Sequence, residues 1–155
     1  MKVTIDGQEI EVEAGTTILQ AARMIGGESV PPAMCYYSKL KGTGGKCRCC
    51  LVDVTKGSEA DPRPMPKLVA SCVTGCQDGM EVASTKSERV QEARKSVTEF
   101  LLINHPLDCP VCDQAGECDL QNLSFEHGKS QSRFIEEKRT FEPENIGDKI
   151  QLHMN

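Results

Sequence analysis

Nine cysteines and three histidines are the side chains best suited to chemistry in this 155-residue sequence. Most fall into two groups. The first is Cys35, Cys47, Cys49, Cys50 and Cys72, with Cys76 nearby, around the run GTGGKCRCCLVDV. Cys47 and Cys50 make C-x2-C, a spacing that lets two thiolates bind one iron or zinc. Gly42, Gly44 and Gly45 lie just upstream, and glycines let a backbone turn tightly and aim N–H groups at an anion. An iron–sulfur cluster held by four thiolates is such an anion, and Lys46 and Arg48 could offset more of its charge. The pattern approaches the plant-type C-x4-C-x2-C…C of 2Fe–2S proteins. The gaps here are eleven and twenty-one residues, so that pattern does not hold in detail. On spacing alone a structural zinc site stays open. Cys49 and Cys76 are surplus and read as buried or free thiols, since Cys49 alternates away from Cys50 in extended chain.

The second group is NHPLDCPVCDQAGECDLQ, with the spacing His105-x3-Cys109-x2-Cys112-x5-Cys118. Three thiolates and an imidazole could hold zinc or one cubane cluster. Pro106 and Pro110 fix turns, and Gly116 lets the chain wrap a metal. The free nitrogen of a ligating His105 is expected to bond a carbonyl or carboxylate.

The elements that must position these residues are short. KVTID and QEIEVE alternate apolar and polar around Asp6-Gly7, which predicts a hairpin. Thr17 and Gln20 have capping-box spacing ahead of Ile18, Ala21, Ala22 and Ile25, a helical period stopped by Gly26-Gly27. Val30-Pro31-Pro32 forces extended chain. Strands are predicted at 51–54, 67–73 and 80–83, giving an α+β layout with one helix on a small mixed sheet. A second helix of about 18 residues is predicted from a Thr85–Glu88 capping box, with Val90, Ala93, Val97, Phe100 and Leu101 as its apolar stripe and an end before Pro106. The segment 105–123 reads as a cysteine-bearing loop. Residues 124–155 read as polar chain lying against another surface.

Composition agrees with a metal-stapled chain. Apolar residues are 38%, aromatics 4%, and Trp is absent, so the apolar core is thin for this length. Net charge is −5 with scattered basic residues, which argues against a nucleic-acid face. No run approaches the length of a membrane span, and the N-terminal residues have no signal-peptide pattern, so thiols in a reducing compartment are expected. No G-x-G-x-x-G follows a strand, and no nucleophile–base pair stands out.

The segment HPLDCPVCDQAGECDLQ, with EFLLINHPLDCP before it and SRFIEEKR after it, resembles the His-Cys 4Fe–4S signature of the large iron–sulfur subunit of respiratory complex I. CYYSKL, GKCRCCLVDV and KLVASCV stand where that family carries its 2Fe–2S cysteines. The resemblance covers essentially the whole chain. It implies a β-grasp ferredoxin domain at 1–83, with one 2Fe–2S cluster on Cys35, Cys47, Cys50 and Cys72. A helical segment at 84–123 follows, with one 4Fe–4S cluster on His105, Cys109, Cys112 and Cys118. Residues 124–155 become an extended lead-in to a further 4Fe–4S ferredoxin domain that this chain does not carry. Cys49 falls where the family has Met. The resemblance further implies electron transfer from an NADH-reduced flavoprotein subunit toward quinone, beside other peripheral-arm subunits. The implied location is the cytoplasmic side of the bacterial plasma membrane, without membrane insertion. Related modules of NAD-linked hydrogenases and formate dehydrogenases are the alternative, and a zinc-stapled structural module the remote one.

Overall fold

The computed structural model describes residues 1–153, so the end of the 124–155 segment, Met154 and Asn155, lies outside the described residues. The chain forms two compact units, Met1–Arg94 and the remainder from Lys95 on.

In the first unit, β1 (Lys2–Ile5) and β2 (Gln8–Glu11) are the predicted hairpin, and Asp6 and Gly7 both take positive φ at its turn. α1 (Ile18–Ile25) follows. Thr17 caps it reciprocally: the Thr17 N–H donates to Gln20 Oε1 at 2.9 Å, and the Gln20 N–H donates to Thr17 Oγ1 at 3.3 Å. At its other end Gly26, at φ +79°, donates its N–H to the Ala22 carbonyl. Three strands complete the sheet: β3 (Leu51–Lys56), β4 (Val69–Ala70) and β5 (Met80–Ala83). The strand order is β2-β1-β5-β3-β4, with β1 parallel to β5 and the other pairs antiparallel. Alternate residues Val3, Ile5, Val52, Val54, Met80 and Val82 face Ile18, Ala21 and Ala22 of α1 in one buried cluster. This is the expected α+β, β-grasp arrangement. Each fully buried Ile or Val in it contributes about 1.5–3 kcal/mol.

The strand predicted at 67–73 is shorter in the structure. After Ala70 the chain turns, because the N–H groups of Val73 and Thr74 and the Thr74 hydroxyl all donate to the Ala70 carbonyl. That turn carries Cys72 out of the ladder.

α2 (Glu88–Leu102) begins later than its sequence suggests. Thr85 does not cap it. The buried carboxylate of Asp6 takes the Thr85 hydroxyl and N–H at 2.9 and 3.1 Å and the Ser84 N–H at 2.7 Å. A carboxylate is the stronger acceptor, and the capping role passes to Ser87, whose Oγ accepts the Val90 N–H at 3.4 Å. The buried face of α2 matches the predicted stripe only in part. Val90 is buried and Ala93, Val97 and Leu101 are half-buried, whereas Phe100 is 74% exposed and the other buried positions are Arg94 and Thr98.

The second unit contains the end of α2 and α3 (Asp119–His127), with a small hairpin of β6 (Glu144–Asn145) and β7 (Gln151–Leu152). Neither α3 nor the hairpin was expected. Among the described residues of this unit the buried apolar side chains are Pro106 and Leu123.

Candidate iron–sulfur sites

The first site is built where α1, β3 and the turn after β4 meet. Ser71 donates its N–H to the Cys50 carbonyl, and Leu19 of α1 donates to the Ser71 carbonyl. These bonds bring Cys72 beside Cys50, with the sulfurs 3.3 Å apart. Leu19, Ala33, Ala70 and Tyr36 pack around the pair. Tyr36 is fixed from α1, its hydroxyl accepting from Gln20 Nε2 at 3.1 Å and its ring lying 5.2 Å beneath the Arg23 guanidinium.

The glycine loop closes over these sulfurs. Gly42, Gly44 and Gly45 have φ of +74°, +98° and +72°, and Arg48 takes +64°. The Gly44 N–H donates to the Cys35 carbonyl at 2.8 Å. Three consecutive N–H groups then point at thiol sulfur: Gly45 to Cys72 Sγ at 3.1 Å, and Lys46 and Cys47 to Cys35 Sγ at 3.3 Å each. A Cβ on Gly44 would lie 3.3 Å from Cys72 Sγ and 3.5 Å from the Tyr36 ring. The backbone therefore approaches the sulfurs as closely as glycine alone permits. Such a nest stabilises negative charge on sulfur.

The thiols differ in state. Cys47 is held down to about 4, chiefly by the Cys49 thiol donating to it, while Cys49 is pushed far up, first by that same bond. Burial pushes Cys72 up to about 11. Cys49 is buried, with its Sγ 3.8 Å from Met34 Sδ and from the Cys47 carbonyl. Cys76 lies in the apolar cluster under α1, and burial alone raises its pKa. The structure thus brings Cys35, Cys47, Cys50 and Cys72 to one loop system and leaves Cys76 outside it.

The second site lies wholly within the second unit. His105, Cys109, Cys112 and Cys118 line one cavity of about 830 Å³, whose walls include Phe100, Leu120 and Phe125. Tight turns present the cysteines: the Val111 N–H donates to the Asp108 carbonyl at 2.9 Å and the Ala115 N–H to the Cys112 carbonyl at 3.0 Å. Cys118 stands at the N-terminus of α3. A two-bond clip to His153 holds the loop, with the Asp113 N–H on the His153 carbonyl at 2.8 Å and the His153 N–H on the carboxylate Oδ2 of Asp113 at 2.6 Å. The expected carbonyl or carboxylate partner for the His105 ring is not found among the described residues. Its backbone N–H donates to Leu102 instead, closing the end of α2.

Among the described residues no three of His, Cys, Asp and Glu converge with the spacing of a single bound ion. A multi-iron cluster spreads its ligands around its faces, and four donors lining a cavity suit that demand. The nest at the first site and the soft donor set at both fit iron–sulfur groups. Sequence reasoning did not single out Tyr36 or Asp113, and it gave Gln20 its capping role but not its bond to Tyr36. Their roles come from contacts to residues far away in sequence.

Comparison with known proteins agrees with this geometry. Residues 1–87 match the family described as 2Fe-2S iron-sulfur cluster binding domain, and residues 94–133 match the NADH-ubiquinone oxidoreductase-G iron-sulfur binding region. The chain is 48% identical to the mitochondrial NADH-ubiquinone oxidoreductase 78 kDa subunit of Candida albicans, over 100% of this chain and 20% of that protein. It is 46% identical to the NADH-ubiquinone oxidoreductase 75 kDa subunit of Reclinomonas americana, over 99% of this chain and 20% of that protein. The chain therefore spans about a fifth of the length of these relatives. Among solved structures it is similar to an NAD+-reducing [NiFe]-hydrogenase in the H2-reduced state, with a TM-score of 0.69 and 30% identity, covering 89% of this chain and 54% of that one. With residues 94–133 similar to the iron–sulfur binding region of the NADH-ubiquinone oxidoreductase-G type, the chain belongs to the 2Fe-2S iron–sulfur cluster binding domain family.

Proposed function

We propose that this chain is a one-electron relay of an NADH:quinone oxidoreductase, holding one 2Fe–2S and one 4Fe–4S cluster. Cys35, Cys47, Cys50 and Cys72 hold the first, and His105, Cys109, Cys112 and Cys118 the second. The observation that carries this reading is the run of Gly45, Lys46 and Cys47 N–H groups on the sulfurs of Cys72 and Cys35. When bound, the clusters supply reversible one-electron chemistry, which no side chain of this chain offers.

The residues of the chain do the rest. The loop amides stabilise charge on Cys35 and Cys72. Leu19, Ala70 and Tyr36 shield Cys50 and Cys72 from water. Lys46 and Arg48, both exposed, add positive charge at the rim of the loop. Residues 1–83 form the 2Fe–2S domain, 84–123 carry the 4Fe–4S ligands, and 124–155 lead toward a further ferredoxin domain. Electrons enter from a flavin- and NADH-binding partner and leave toward quinone through other subunits of the peripheral arm. Among the described residues no helix is long and apolar enough to cross a membrane, which suits a peripheral place on the cytoplasmic face of the plasma membrane. The structural likeness to an NAD+-reducing hydrogenase supports a second reading, the same relay in the NAD-linked half of a hydrogenase.

Iron, zinc and acid-labile sulfide per chain, after anaerobic purification, test the proposal. Iron and sulfide summing to one 2Fe–2S and one 4Fe–4S centre are expected. Stoichiometric zinc without sulfide overturns it.

A further inference from the structure

Arg94 is an anomaly of the first unit. It is 3% exposed, yet no carboxylate among the described residues stands within ion-pair distance of it. Its Nη2 donates to the Ser84 carbonyl at 3.2 Å, to Ser84 Oγ at 3.4 Å and to the Leu51 carbonyl at 3.5 Å. Its Nε is buried with no acceptor. Asp6, the acid that acts on it most, is already engaged by Ser84 and Thr85. Taking a guanidinium out of water is costly unless negative charge offsets it. Apart from the Asp6 charge, which Ser84 and Thr85 share, only three carbonyl and hydroxyl contacts offset it, and one N–H is orphaned. Burial disfavours its charged form, and Asp6 is the acid that opposes this. Leu51 directly follows Cys50, so the guanidinium sits behind the backbone that carries one proposed cluster ligand.

We infer that Arg94 is the buried counter-charge of the 2Fe–2S centre, favouring its reduced state. The inference rests on the ligand set proposed above. Reduction adds one negative charge to the cluster, and a fixed cation in a low-dielectric surrounding stabilises the more negative state. Because Arg94 touches no cysteine sulfur, it acts as a positioning and charge-setting residue through Leu51.

The test is an anaerobic redox titration of the holoprotein, read by EPR of the 2Fe–2S signal, in R94Q and R94K. Charge removal in R94Q should lower the reduced-to-oxidised ratio at a fixed ambient potential about tenfold, about 59 mV for one electron. R94K keeps the charge and loses the fork. It should melt at a lower temperature than wild type but hold the ratio within about twofold of it. If R94Q does not assemble, R94M carries the same expectation, since its unbranched apolar stem needs no acceptor. A ratio unchanged in the neutral variant, or shifted equally in R94K, overturns the inference and leaves Arg94 a purely structural tie. A wild-type protein without any 2Fe–2S signal overturns instead the ligand reading, and this inference with it.

Discussion

Cys50 and Cys72 lie twenty-two positions apart and place their sulfurs 3.3 Å from one another, held there by the Ser71 N–H on the Cys50 carbonyl. Cys49, one residue earlier, faces Met34. Cys47→Ser and Cys50→Ser are therefore expected to abolish the 2Fe–2S EPR signal and leave the 4Fe–4S signal unchanged. Cys49→Ser and Cys76→Ser should keep both. Loss of the signal in Cys49→Ser with retention in Cys50→Ser would reverse the ligand choice.

Gly44→Ala should weaken the same site without touching a thiol. The added methyl group meets Cys72 Sγ and a Val73 methyl at 3.3 Å, on a backbone at φ +98°. Alanine in that conformation costs about 1–3 kcal/mol. Urea unfolding of the holoprotein should register that loss, together with faster decay of the 2Fe–2S absorbance in air. A variant as stable as wild type means the loop has room that the geometry denies.

His105 tests the second site. A neutral imidazole in place of a thiolate leaves a less negative cluster and a higher potential, as in Rieske centres. His105→Cys should keep a 4Fe–4S cluster at lower potential, and His105→Ala should leave an open, labile iron. Anaerobic titration decides, since an unchanged potential and stability in both variants removes His105 from the ligand set.

Removal of iron should act unequally on the two units. The first has a continuous buried cluster from Val3 to Val82, whereas the described part of the second buries only Pro106 and Leu123 among its apolar residues. Cluster binding must then supply most of the folding energy from Lys95 on. Hydrogen exchange of the apoprotein should retain protection in β1, β3 and β5 and lose it in α3. Protection of α3 without iron would contradict this.

Acid should loosen the second unit by a separate route. Arg133 donates to both carboxylate oxygens of Glu99 at 2.6 and 2.7 Å, and Lys129 stands 3.5 Å away. The hydrogen bond from Arg133 holds the Glu99 carboxyl down to about 2, against 4.5 ordinarily. A depressed acid stabilises the fold above its ordinary pKa, and that contribution fades as pH falls from 4.5 through 2. Carbon-13 NMR of the Glu99 carboxyl should follow this titration, and Arg133→Gln should return it toward 4.5. The same variant should raise the pH of acid unfolding seen by circular dichroism.

What was legible in the sequence was local. The Thr17–Gln20 capping box and the Asp6-Gly7 turn lie within four residues, and both formed where expected. Thr85 followed the same capping pattern and lost it to Asp6, a competitor 79 positions away. α3 was invisible because it is short, polar and buries only Leu123. At the first site, Cys50 and Cys72 could be grouped from family resemblance, whereas Cys76, four residues further on, differs only in the contacts it makes. Arg94 gave no signal at all, since a charged residue on a helix ordinarily marks the solvated face.

The pairing of β1 with β5 has a consequence for how the first unit is made. These neighbours come from opposite ends of the unit, and Asp6 waits for Ser84, 78 positions later, to complete its bonds. Closing so long a loop is entropically costly and slow compared with a hairpin. During synthesis, at about 5–20 residues per second, the β1–β2 hairpin emerges first and keeps an unpaired edge for several seconds. The glycine loop and its cysteines are thus exposed to the cell before the sheet that supports them exists, so a nascent chain has an interval in which its thiols meet metal, oxidant or chaperone ahead of their own fold.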